Sequence, residues 1–215
     1  MSGRITALKV QERNTQRVNV YLDGEFAFGL ARITAAWLRV GQELSDEKIS
    51  ELQSQDAEEV AYQKAVQLLE RRPRAEAEIR RSLARHAIPE DVIDAVLERL
   101  RRSSLVNDDA FARTWVENRT EFRPRSRRAL AAEMRQHGLS RETIQQTLSE
   151  TDLDEEALAY QAGLKQSKKL NQLEWLDFRR KLSAFLARRG FGYEVIAPVV
   201  QRIWKETQSE QEEEN

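Results

Sequence analysis

The 215-residue chain contains no cysteine. Disulfides and thiolate metal sites are thereby excluded, and a reducing compartment is the natural setting. Its eight glycines form no phosphate-cradling cluster, so nucleotide hydrolysis has no support. No apolar run reaches a membrane-spanning length, and Met1 to Val10 carries charge where a signal peptide would be apolar. A soluble, cytoplasmic chain with no membrane partner is expected. No nucleophile stands with a base, no carboxylate pair sits in an apolar setting, and no metal ligands gather. The expectation is a non-enzyme, with no catalytic residue, no metal and no cofactor.

What is present in quantity is charge. Charged residues make up 33% of the chain and hydrophobic ones 40%, as suits a thin array with much surface for its volume. The net charge of −1 hides a polarised distribution. Between Arg71 and Arg135 stand 16 arginines, no lysine and 11 acidic residues, a net of +5. The acids gather at Asp46 to Glu59 and at Glu206 to Glu214. A guanidinium presents a planar fork to phosphate or carboxylate that an ammonium cannot. A basic middle can therefore bind an anionic surface although the whole molecule is nearly neutral.

Two stretches, Arg71 to Leu100 and Phe122 to Glu150, match each other. Each opens on Arg-Pro-Arg, and the two prolines, Pro73 and Pro124, are 51 residues apart. The same shift pairs Ile79 with Leu130, Leu83 with Met134, Ile88 with Leu139 and Ile93 with Ile144. About one shift further on stand Leu182, Leu186, Phe191 and Ile196. Three copies of a helical unit, each too small to bury its apolar stripe alone, imply an elongated solenoid-like array. His86 and His137 are the only histidines and are also 51 residues apart. Both fall at a helix C-terminus, where a cation suits the helix dipole, and equivalent places in a stack need not converge on a metal.

Ahead of the repeats, Arg4 to Gln11 and Arg17 to Leu30 read as strands turning at Asn14 and at Asp23-Gly24. A two-residue Asp-Gly loop pairs Tyr21 with Phe26 and puts Val18, Val20 and Leu22 on the opposite face from Phe26 and Phe28. A three-residue loop, Leu22 to Gly24, pairs Val20 with Phe26 and Val18 with Phe28 on one apolar face, and is the expected choice. This small sheet either caps the first helices or grips a partner by edge pairing. Short helices follow over Ile33 to Val40, which ends at Gly41, and over Asp46 to Ser54, capped by Ser45.

Each repeat reads as three helices. The first holds Ala57 to Glu70, opened by Asp56 and Glu59, then Ala75 to Arg85, then Pro89 to Arg101. In the second, Asn107 caps Asp108 to Glu121, Ser126 caps Arg127 to Gln136, Gly138 is a left-handed stop, and Ser140 caps Arg141 to Ser149. The third has Asp154 to Gln166, Gln172 to Arg189, the stop Gly190, and Tyr193 to Trp204, with Pro198 expected to kink the last helix. Past Trp204 the chain loses apolar content, and disorder is expected. The boundaries follow: 1–55 for the hairpin and short helices, 56–105, 106–152 and 153–205 for the repeats, and 206–215 for the acidic tail.

The Arg-Pro-Arg entries are the candidate binding features. Proline fixes the approach to a helix whose N-terminal donors already favour anions, and the flanking arginines add charge. Arg71, Arg72, Arg74, Arg80, Arg81, Arg123, Arg125, Arg127 and Arg128 compose this basic face. The competing reading is a solvated face of helix salt bridges, for instance Glu76 with Arg80. Trp115, Phe111, Trp175, Phe178, Phe185, Phe191 and Trp204 fall on apolar stripes and read as core. Phe122, beside Arg123, is expected to pack between repeats rather than to stack on a base.

With RVNVYLDGEFAFGLA at the N-terminus, RRPRAEAEIRRSLARHAIPEDVIDAVLERL in the first repeat and VNDDAFARTWVENRTEFRPRSRRALAAEMRQHGLS in the second, the chain resembles the RecX family of bacterial RecA regulators. Motifs of this kind in this order run through nearly the whole chain. The third repeat, which lacks Arg-Pro-Arg and carries Pro198, matches least clearly. The resemblance implies tandem three-helix repeats and a monomer that binds along the groove of the RecA filament on single-stranded DNA. It implies limits on filament growth, strand exchange, ATP hydrolysis and RecA-stimulated repressor cleavage, and so a place in recombination, DNA repair and the SOS response. Two other readings compete: an autonomous DNA-binding protein using one unit as a helix-turn-helix, and a structural helical scaffold.

Overall fold

The computed structural model describes residues 2–213. The chain is mainly helical and carries a small antiparallel sheet near its N-terminus. It divides into two compact units, Met1–Arg74 with Glu78–Val106, and Ala75–Ala77 with Asn107–Asn215.

In the first unit, β1 (Gly3–Val10), β2 (Arg17–Leu22), β3 (Glu25–Ala31) and the short β4 (Glu43–Leu44) form a sheet in the order β3-β2-β1-β4. The hairpin corrects the expected three-residue loop. Asp23 and Gly24 both have positive φ, 49° and 93°, and form a two-residue turn, the backbone signature of a tight hairpin. Tyr21 therefore pairs with Phe26, but the register slips after Val20, which pairs with Phe28 while Val18 pairs with Leu30. The extra residue sits in β3 as a bulge at Ala27 rather than in the turn. That bulge moves Phe28 and Leu30 onto the buried face with Val18 and Val20 and leaves Phe26 exposed. Ile5, Leu22, Leu44 and the start of the following long helix close this core.

The segment expected as a helix over Ile33 to Val40 keeps only one turn, α1 (Arg32–Ala35). Ile33, Trp37 and Val40 are exposed and offer it no packing. The two helices expected over 46–54 and 57–70 are one, α2 (Asp46–Arg71), capped by Ser45 through the Lys48 amide. No glycine or proline interrupts residues 53–56. Asp56, read as a cap, instead turns its carboxylate into the first unit, where it accepts from the Ala31 amide and, at 2.9 Å, from Arg17. Helices α3 (Glu76–Ala84) and α4 (Glu90–Arg102) complete the first three-helix domain around Ala61, Ala65, Ile79, Leu83, Ile93, Val96, Leu97 and Leu100.

The second unit holds α5 (Asp108–Phe122), α6 (Arg127–His137), α7 (Arg141–Glu150), α8 (Glu155–Ser167), α9 (Trp175–Arg188) and α10 (Tyr193–Glu213). Asn107, Ser126, Ser140 and Asp154 each accept from an amide three residues on. Such caps are worth about 1 kcal/mol apiece. Each three-helix domain gathers an apolar cluster, and that of the second also takes in Ala75, just ahead of α3. Phe111, Val116, Leu130, Met134 and Ile144 fill one cluster, and Phe178, Leu182, Leu186, Ile196 and Ile203 fill the next. Gly163 lets α8 meet α10, since a Cβ there would lie 2.6 Å from Ile203 Cδ1. Pro198 lies inside α10, which runs on past it. The tail expected to be disordered from residue 205 continues that helix to Glu213, and only Glu214 and Asn215 of it lie outside the described residues.

Candidate nucleic-acid interface

The middle helix of each of the first two domains begins just after its Arg-Pro-Arg. There the first helical amides are already occupied. The Glu76 amide donates to Asp108 Oδ1 at 2.8 Å, and the Arg127 amide, 51 residues on, donates to Glu155 Oε1 at 2.7 Å. Both acceptors stand at the first position of the helix that opens a repeat, α5 and α8. The preference of a helix N-terminus for anions is thus met by the chain's own carboxylates. These corners are not the open anion seats that the sequence suggested.

The arginines themselves divide by surroundings. Arg72 grips Glu78 with both terminal nitrogens, at 2.7 and 3.2 Å, which raises its pKa above the usual guanidinium value. Arg80 binds Asp94 and Glu90 of α4, with the same effect. Arg125 Nε lies 2.7 Å from Glu133 Oε1, an ion pair rather than an aligned hydrogen bond. The other oxygen of Glu133 takes Arg119 and the Trp115 indole. Arg127 donates to the Leu148 carbonyl at 2.6 Å. Four of the nine expected residues are therefore tied into the fold, while Arg71, Arg123 and Arg128 are exposed and without a side-chain hydrogen bond or ion pair among the described residues.

Two groupings emerge. In the first unit Arg74, Arg81 and Arg85 line a cleft of about 390 Å³ with Glu78 and Ala84. Burial lowers the pKa of Arg74, as do Arg72, Arg71 and Arg85, against the opposing pull of Glu78. In the second unit Arg189 is pushed down by burial and then by Arg125 and Arg123. It donates to the Pro124 carbonyl at 2.9 Å and lies over the Phe185 ring. In both groupings like charges stand close together, although Arg72 and Arg125 among them are paired with Glu78 and Glu133. Phe122, expected between repeats, is 60% exposed beside Arg123. Among the described residues no group of three or more metal-ligating side chains occurs, and no helix is long and apolar enough to cross a membrane.

Four family models match the chain in order. They are the N-terminal domain of regulatory protein RecX over residues 3–45, and the first, second and third three-helix domains of RecX over residues 61–100, 107–148 and 154–200. The chain belongs to the RecX family. It is 32% identical to the regulatory protein RecX of Bacillus velezensis, over 97% of this chain and 80% of that one, and 31% identical to the Bacillus pumilus protein, over 98% and 81%. A crystal structure of regulatory protein RecX shares the fold at a TM-score of 0.69 and 24% identity, covering 90% of this chain and 96% of that one. RecX from Lactobacillus salivarius does so at 0.57 and 19%, covering 69% and 97%. The match of the third RecX domain makes good the part where the sequence resemblance was least clear.

Sequence reading missed Arg85 and Arg189. Arg85 stands just past the end of α3 and four residues after Arg81, and that spacing is the signal that could have found it. Arg189 stands one repeat after His137, and so holds the third copy of the place occupied by the two histidines. His137 packs its ring on Trp115, centroids 4.2 Å apart, in the structural role expected of it.

Proposed function

We propose that this RecX-family chain is a negative modulator of RecA. It binds the RecA filament on single-stranded DNA in its groove and limits filament growth, strand exchange, ATP hydrolysis and repressor cleavage. In this reading it acts as a cytoplasmic monomer in recombination, DNA repair and the SOS response. No bond is made or broken: binding shifts an assembly equilibrium in proportion to the difference in affinity for the two states. The observation that carries the reading is membership of the RecX family from the N-terminal domain through all three three-helix domains. The exposed Arg71, Arg123 and Arg128 add a physical reason, because guanidinium groups with no ion pair among the described residues suit phosphate or an acidic protein surface.

Filament length is the test. RecA assembled on single-stranded DNA and measured by electron microscopy should give shorter filaments when this protein is added during growth. Unchanged lengths, with RecA from the same source, would overturn the reading.

A further inference from the structure

A second cleft in the first unit, of about 560 Å³, is lined by the chain entering β2, by α1 and by the middle of α2. From α2 come Val60, Gln63, Lys64 and Gln67, spaced by three, one and three residues, so all four stand on one face of the helix while Ala61 and Ala65 bury another. From α1 come Arg32 and Ile33, both exposed, and Gln16 joins them from the chain before β2. The side chains of Arg32 and Lys64 make no hydrogen bond or ion pair among the described residues, nor do the side-chain amides of Gln16 and Gln67. Glu59 is the one carboxylate in the lining and is fully engaged, its Oε1 accepting from Gln63 at 2.8 Å and its Oε2 from Arg99 at 2.7 Å. Arg17 is matched to Asp56. The cleft therefore holds two unmatched cations, two uncommitted amides and the apolar surface of Ile33 and Val60, with no anion left to answer them.

We propose that this cleft takes an extended acidic segment of a partner protein, with Arg32 and Lys64 each binding a carboxylate and the Gln16 and Gln67 amides bonding its backbone. A primary amide carries both donors and an acceptor, the complement of a peptide N–H and C=O. An aliphatic side chain of the segment rests on Ile33 and Val60. Nucleic acid fits less well, because no aromatic ring lines the cleft to stack a base. The segment belongs to a partner because this chain's own acidic run is taken up as helix in α10 as far as Glu213, and is not extended. The inference goes beyond RecA regulation and needs no contact with DNA.

The test is titration of the full chain with the peptide acetyl-Glu-Ser-Val-Ser-Glu-amide, whose Glu and Val side chains share one face when it is extended, followed through the backbone amide NMR signals. Saturable shifts should gather at Arg32, Ile33, Lys64 and Gln67. Arg32→Gln and Lys64→Gln should each weaken binding about fivefold, the worth of one exposed ion pair. Lys48→Gln, on the same helix but with its lysine matched to Glu51, should leave it unchanged. The same peptide with Gln for both Glu should bind about 25-fold more weakly, as two independent pairs require. Absence of saturable shifts at those positions, unchanged affinity in Arg32→Gln and Lys64→Gln, or tighter binding of an oligodeoxythymidylate at the same amides would each overturn the proposal. Filament length tests RecA regulation separately and is untouched by any of these outcomes.

Discussion

The Glu155 carboxylate accepts from the Arg127 amide at 2.7 Å, and Asp108 does the same for Glu76 at 2.8 Å. The second and third repeats each open on a carboxylate that accepts from the first amide of the preceding middle helix. Proline and arginine set the chain's path into α3 and α6, and the site that looked free for phosphate is used to connect neighbouring helices. Glu155→Ala should destabilise the second unit by about 1 kcal/mol, the usual worth of a helix N-terminal acceptor. Urea unfolding followed by circular dichroism would read it as a lower midpoint at unchanged slope.

Asp56→Ala should be costlier. The carboxylate is nearly buried, binds Arg17 at 2.9 Å and caps the β3 end at the Ala31 amide. Truncation leaves a part-buried guanidinium and an amide without their acceptor, a loss of about 3 kcal/mol. Equal destabilisation by Asp56→Ala and by a substitution at exposed Asp91 would contradict this.

Two glycine substitutions separate strain from crowding. Gly24 has φ of 93° with nothing near an added Cβ, so Gly24→Ala should cost about 1 kcal/mol through backbone conformation alone. Gly163→Ala instead drives a methyl into Ile203 and should cost about 2 kcal/mol. Ile203→Val, by shortening the opposing chain, should restore part of the second loss and none of the first.

The Glu206 carboxyl is held below its ordinary value of 4.5 by the Tyr160 hydroxyl, at 2.6 Å, and by Arg202. A depressed acid contributes stability that is present above its unfolded value and lost as pH falls through the folded one. Melting temperature should therefore decline more steeply below about pH 4.5 in the wild type than in Tyr160→Phe. Parallel curves for the two proteins would count against the contact.

The parts legible in sequence were those written in local chemistry. The 51-residue shift, the caps Asn107, Ser126 and Ser140, and the stops Gly138 and Gly190, at φ of 95° and 94°, all stand. Ala87 even adopts the same left-handed stop one repeat before Gly138, at φ of 55°, with no glycine to announce it. Features set by tertiary contact were hidden. The bulge at Ala27 is fixed by which side chains must face the core, and Asp56, which reads as a cap, is bound instead by Arg17 and the Ala31 amide within one continuous α2. Counting arginines located the basic segment, but it could not tell Arg80 or Arg125, matched to carboxylates, from Arg85, or bring Arg189 to Arg123.

Regulation of RecA through an arginine surface is read out by RecA-catalysed ATP hydrolysis on single-stranded DNA. Wild-type protein should inhibit hydrolysis as it is titrated in. A variant with Arg85, Arg123 and Arg128 changed to Glu, exposed positions that make no ion pair among the described residues and so leave helicity intact, should have lost that inhibition. Hydrolysis unaffected by the folded wild type, with RecA from the same source, would mean that this protein does not regulate RecA.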